Sequence, residues 1–118
     1  MILMLDSDTD RLAAVSAGLA AEGKPVLGLD RAAAASRLVD AGQCELMVLS
    51  DLVAGWRRFL NRGDSPVLLL TDDPSRPEAE GAAASLGTGI GAASVLQMAH
   101  ALLSGGGHYG SIPWNCPR

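Results

Sequence analysis

Six polar side chains stand where chemistry could be done. Asp6, Ser7 and Asp8 follow the apolar run "ILML"; Ser50 and Asp51 follow "LMVL"; Thr71 follows "VLLL". A buried strand that ends in polar residues delivers them to one edge of a sheet, where many α/β proteins build a site. Carboxylates gathered there suit a hard divalent cation. A carboxylate or hydroxyl can also act as a nucleophile, but a hydroxyl needs an activating base. No His or Lys lies in the local motif around Ser50. The competing reading is structural: solvated loop acids, with Asp8 or Ser7 capping the helix that follows.

The elements needed to position these groups are legible as periodicity. Ile2 to Leu5 reads as a strand, and Leu12, Val15 and Leu19 give helical spacing over Thr9 to Glu22, closed by Gly23. Pro25 to Leu29 reads as a second strand, Arg31 to Ala41 as a helix after Asp30, and Glu45 to Ser50 as a third strand. Trp56, Phe59 and Leu60 mark a short third helix, and Pro66 to Thr71 the most apolar strand. Ser75 and Glu78, with Pro77 between, are spaced as a capping box for a fourth helix running to about Leu86. A weak fifth strand is expected over Thr88 to Ala92. A last helix, with Ser94 and Gln97 as a second capping box, runs to about Ser104.

Five βα units with short connections predict an α/β, flavodoxin-like doubly wound fold with a parallel five-stranded sheet in the order 2-1-3-4-5. Near-continuous apolar strands fit a sheet covered on both faces. The switch point then lies between strands 1 and 3, where Asp6, Ser7, Ser50 and Asp51 arrive, with Thr71 beside them. Residues 1–106 form the domain, and residues 107–118 a Gly/Pro-rich tail.

Composition excludes several functions. A chain of 118 residues buries a core without metal or disulfide staples. A net charge of -4 argues against direct nucleic-acid binding, which needs clustered Lys and Arg. No apolar run reaches the ~20 residues of a membrane span. The first residues have acids instead of a basic flank, unlike a signal peptide, so the expected location is cytoplasmic. Cys44 and Cys116 form no paired motif, which leaves no support for zinc or thiol redox chemistry. "GTGIGAA" (Gly87 to Ala93) contains a dinucleotide-like spacing, but it comes late and no acid follows it. It reads as a loose loop. Asp72 and Asp73 read as exposed acids ahead of Ser75, and Trp56 as core.

At the carboxyl-end residues the sequence resembles the receiver domain of bacterial response regulators, the CheY-like family, up to about Gly106. "ILMLDSD" is similar to the family's first strand and acidic pair. "ELMVLSDLVAG" is similar to its third strand, acceptor and turn, and "SPVLLLTDD" to its fourth strand and hydroxyl residue. "ALLSGGGHYGS" looks like the end of a receiver of the NarL/FixJ type, which implies transcription regulation within two-component signalling or a phosphorelay. In that family an Asp is phosphorylated, a divalent cation sits on that Asp and the acidic pair, a Lys before the last helix meets the phosphoryl group, and a Thr or Ser bonds it. Asp6 and Thr71 fit the pattern. Ser7 stands at the second acid and Ser50 at the acceptor, with Asp51 one residue late. "GAAS" (Gly91 to Ser94) offers no Lys. The resemblance therefore implies a degenerate pseudo-receiver that is not an enzyme and uses no metal or cofactor. Two alternatives stay open: a receiver phosphorylated at Asp51, and a small α/β enzyme or ligand-binding protein at the strand 1/strand 3 switch point.

One regional feature points to a partner. From Gly81 to Pro117 no side chain is charged apart from what His100 and His108 carry. A solvent-facing helix usually has charge on its outer face. Leu96 and Leu103 flank the core stripe of the last helix, and His100 lies on its polar stripe. Leu96, His100 and Leu103 are thus expected at a homodimer or protein-partner interface on the face of the fourth helix, fifth strand and fifth helix.

Overall fold

Three strands carry the core. β1 (Ile2–Leu5), β3 (Leu46–Ser50) and β4 (Val67–Leu70) are buried along their whole length, as near-continuous apolar runs in a doubly covered sheet should be. A computed structural model describes residues 1–33, 44–60, 65–73 and 75–105. β2 (Val26–Leu29) and β5 (Ala84–Leu86) are half-buried and form the two edges. All four pairings are parallel and the order is β2-β1-β3-β4-β5, as the alternating pattern predicts. Leu5 pairs with Leu29 on one side and Leu49 on the other, so β1 and β3 end level with each other at Asp6 and Ser50.

Side-chain alternation splits the core into two layers. Ile2, Met4, Leu46, Val48, Leu68 and Leu70 face α1 (Thr9–Ala20) and the last helix (Ala92–Gly105), which meet them with Val15, Leu19, Val95, Ala99 and Leu102. Leu3, Leu5, Met47, Leu49 and Leu69 face Ala32 and a 3-10 turn, Trp56–Phe59, whose Trp56 and Phe59 are buried. The helix expected from Arg31 begins at Ala32, and its remainder lies outside the described residues, as does the tail 107–118.

α1 starts where Asp8 accepts a hydrogen bond from the Arg11 amide at 3.0 Å. It ends at Ala20, and Gly23 takes φ +78°, the left-handed conformation a C-terminal glycine supplies without strain. Its buried stripe is Arg11, Val15 and Leu19, whereas the sequence places Leu12 there. Leu12 is only half-buried and lies over Gly28.

The fourth helix and fifth strand differ from expectation. The helix, α2, is short, Pro77–Gly81, with Arg76 at its N-cap and no side-chain cap. The Ser75 hydroxyl donates instead to Asp73. Ala82 turns extended (φ -81°, ψ 153°), and the Ala83 amide bonds the Val67 carbonyl, so the chain enters the sheet at once. β5 is therefore Ala84–Leu86, and Thr88 lies in the loop beyond it rather than in a strand. Alanine favours helix, but an open edge of β4 offers backbone partners that override a weak local preference. The last helix, α3, begins at Ala92, which places Ser94 inside its first turn rather than at a cap.

α1 and α3 touch at Gly18, where a Cβ would stand 2.8 Å from both Leu96 methyl carbons. Gly18→Val should therefore overpack this contact and cost about 1–3 kcal/mol, measured by urea unfolding. Gly18→Ala should cost less, because the half-buried Leu96 can yield.

Candidate functional site

The carboxyl ends of β1, β3 and β4 bring Asp6, Ser50, Asp51 and Thr71 to one end of the sheet, as expected. Asp6, Ser50 and Thr71 are buried, Asp51 is nearly so, and Ser7 is exposed. What occupies the acids was not expected.

Asp6 is held by an arginine from α1. Arg11 Nε donates to Asp6 Oδ2 at 2.6 Å and Arg11 Nη2 to Oδ1 at 2.8 Å, a two-pronged contact between two buried groups. Asp6 Oδ1 also accepts the Asp8 amide at 3.0 Å. Arg11 Nη1 donates across to the carbonyls of Thr88 and Ile90 in the loop after β5. One cation thus neutralises the acid of β1 and fixes the β5–α3 loop. Hydrogen bonding to Asp6 raises the Arg11 pKa above its ordinary value, against the opposing pull of burial. Sequence reading missed Arg11. The available signal was its position four residues before Val15 and eight before Leu19, on the helix face that must be buried.

Asp51 is held by a different set. Its Oδ2 accepts the Thr71 hydroxyl at 2.5 Å and lies 3.4 Å from Arg76 Nη2. Thr71 Oγ1 in turn accepts the Asp73 amide at 3.0 Å, and the Thr71 amide bonds the Leu86 carbonyl. The Arg76 guanidinium lies 5.7 Å from the Trp56 ring, and its buried Nε has no acceptor among the described residues. Arg57 approaches the same ring at 5.0 Å. Ser50 Oγ accepts the Leu52 amide at 3.3 Å, a turn contact.

The two acids do not pool. Asp6 continues the side-chain alternation of Ile2 and Met4, and Ser50 that of Leu46 and Val48, towards α1. Asp51 and Thr71 continue the opposite set, Met47, Leu49 and Leu69. Pleat parity therefore sends Asp6 to the α1 arginine and Asp51 to the arginine of the β4–α2 loop. Among the described residues no three His, Cys, Asp or Glu side chains are grouped to hold a metal ion. A divalent cation does not fit this donor set, because both Asp6 oxygens are engaged by Arg11, Ser7 is exposed and brings no charge, and Asp51 is paired with Arg76 and Thr71. No lysine is present after Lys24, and the strand-5 end that the resemblance reserves for one is now Leu86-Gly87 rather than "GAAS".

Removing the Thr71 hydroxyl leaves a nearly buried carboxylate short of a partner. Thr71→Val should cost about 1–3 kcal/mol in chemical denaturation, while Thr71→Ser retains most of the stability. Asp72 and Asp73 are exposed, as expected, and both have lowered pKa values. Asp72 bonds Thr88, and Asp73 bonds Ser75. A depressed carboxylate pKa gives stability that is present above the ordinary carboxylate range and lost as pH falls through the folded value. The Thr88 amide resonance should accordingly titrate below about pH 4, and Asp72→Asn should abolish that titration.

The three residues expected at an interface lie on α3. Leu96 packs on Gly18 of α1 and Leu103 against the same core layer, both half-buried. His100 Nε2 lies 2.7 Å from Glu22 Oε2, without hydrogen-bond alignment. Two of the three therefore turn towards α1. The one large apolar side chain exposed among the described residues is Leu52, at 62%.

No family model and no curated protein sequence matches the chain. Its backbone does match solved structures. A CheY-like response regulator receiver domain protein from Methanospirillum hungatei JF-1 superimposes with a TM-score of 0.72 at 18% identity, over 87% of this chain and 92% of that one. An orphan response regulator of H. pylori gives 0.70 at 17% identity, over 86% and 94%. The receiver domain of a sensor histidine kinase from Pseudomonas aeruginosa PAO1, which has a magnesium ion coordinated in its active-site cleft, gives 0.67 at 14% identity, over 87% and 96%. The fold is thus that of CheY-like receiver domains.

Proposed function

We propose that this chain is a pseudo-receiver: a cytoplasmic signalling module, of bacterial signal transduction or transcription regulation, that keeps the receiver fold, accepts no phosphoryl group and works by protein association. One observation carries the reading. The buried acid at the end of β1 is neutralised through both oxygens by the chain's own Arg11, so a tethered cation stands where the fold family uses a diffusible one. Ser50 at the acceptor position and Asp51 held by Thr71 and Arg76 agree with it.

The test is a titration of the labelled chain with magnesium and beryllofluoride, which mimics a phosphoryl group on Asp. Amide resonances of Asp6, Asp51 and Thr71 should stay in place. A saturable shift at Asp51 and Thr71, lost in Asp51→Asn, would establish a phosphorylatable receiver instead. The association surface is the α2–β5–α3 side, with Leu103 contributing more than Leu96 and His100, which also serve the α1 contact. Sedimentation at micromolar concentration should show a dimer that Leu103→Lys weakens. A monomer insensitive to that change would leave only a different protein as the partner.

A further inference from the structure

The loop after β5 carries more glycine than its shape requires. Residues 87–91 read Gly-Thr-Gly-Ile-Gly. Among the described residues only Gly23 and Gly55 take positive φ, so none of these three uses the left-handed freedom of glycine. Crowding does not demand them either. A Cβ at Gly89 or Gly91 would meet no described atom within 4 Å, and one at Gly87 only Asp72 Oδ1 at 3.8 Å, an ordinary contact. Alanine would fit at each in the position the loop holds. Glycine there loses backbone entropy on folding without a steric return, so its freedom has a use only in another position of the loop.

The hold on the loop is also of a releasable kind. Thr88 is gripped from two elements. Its carbonyl accepts from Arg11 Nη1 of α1, and its amide donates at 3.0 Å to Oδ1 of the exposed Asp72, in the loop after β4. Ile90 puts a second carbonyl on Arg11 Nη1 at 3.1 Å and packs a half-buried side chain against the α1–α3 core layer. A segment with one half-buried apolar anchor, held largely by side-chain hydrogen bonds, opens at less free energy than the sheet. Both carbonyls sit on the guanidinium that neutralises Asp6. Arg11 is 5% exposed and Asp6 0%, so displacing the loop brings water to that pair.

We infer that residues 87–91 form a strap with two positions: closed, latched by Arg11 and Asp72, and open, with the Asp6–Arg11 pair uncovered to water. The strap is independent of whether Asp51 accepts a phosphoryl group and of where partners associate. Relaxation dispersion and hydrogen exchange of the labelled full chain read the open population. Amides of the strap should show μs–ms exchange that amides of β1 and β3 lack. The Arg11 Nε proton, bonded to Asp6, should exchange with solvent through the same opening. Asp72→Ala removes one latch and should raise the open population about two- to tenfold, at the strap amides and at Arg11 Nε alike. Gly89→Ala and Gly91→Ala leave the closed position undisturbed and should each lower it about two- to fivefold. Urea unfolding of each variant separates these local changes from global stability. The inference is overturned if the strap amides exchange only through global unfolding, if Asp72→Ala leaves them unchanged, or if Arg11 Nε does not follow them. It is equally overturned if alanine at both glycines leaves the open population where it was.

Discussion

Arg11→Met should lower the stability of the chain by about 3–5 kcal/mol, because it leaves the Asp6 carboxylate buried without a counter-charge. For a domain of this length that is a fall in melting temperature on the order of 10 °C or more. The loss also frees the β5–α3 loop, whose Thr88 and Ile90 carbonyls lose their donor, so amides from Gly87 to Gly91 should exchange faster. The double variant Asp6→Asn/Arg11→Met should recover most of the stability, because a buried pair replaced as a unit costs far less than one broken. Calorimetry of the four proteins in the cycle measures the coupling. A single variant as stable as the parent would mean that Arg11 does not neutralise Asp6 in solution.

The second large effect concerns Ser50, which the resemblance to receivers sets at the acceptor position. Ser50→Asp places a carboxylate at a fully buried site, level with Asp6 on the neighbouring strand. Adjacent strands lie about 4.8 Å apart, so the new charge meets a like charge whose counter-ion is already engaged. A loss of about 2–4 kcal/mol is expected at neutral pH, shrinking in acid. Magnesium should not restore it while Arg11 is present. With Ser7→Asp and Arg11→Gln added, three carboxylates and no competing guanidinium remain, and magnesium should stabilise that protein by about 2.7 kcal/mol at a hundredfold excess over its dissociation constant. Stabilisation of the unaltered chain by magnesium would remove the central premise of the pseudo-receiver reading.

The α/β class, the strand order and the arrival of Asp6, Ser50, Asp51 and Thr71 at one end of the sheet were readable from periodicity, because apolar runs and helical stripes report burial directly. The α2–β5 region was not. Ala82 to Ala84 has helical propensity, and only the free edge of β4 makes those residues extended. Arg11 was also passed over, since a stripe of Leu12, Val15 and Leu19 looks complete without it, and burial of an arginine needs a partner the sequence does not display. The packing of Leu96 on α1 was not readable either, because the neighbour it meets is a glycine some 80 residues earlier.

By itself, the sequence determined that serines, not acids, stand at Ser7 and Ser50 and that no lysine follows Lys24. Those are facts of side-chain chemistry. Only the tertiary structure decided what became of the acids that remain. Pleat parity points Asp6 and Asp51 to opposite layers, and each meets an arginine from a different element, five and 25 residues away along the chain. Pairing at that range depends on where helices and loops come to rest against the sheet, and no local pattern encodes it.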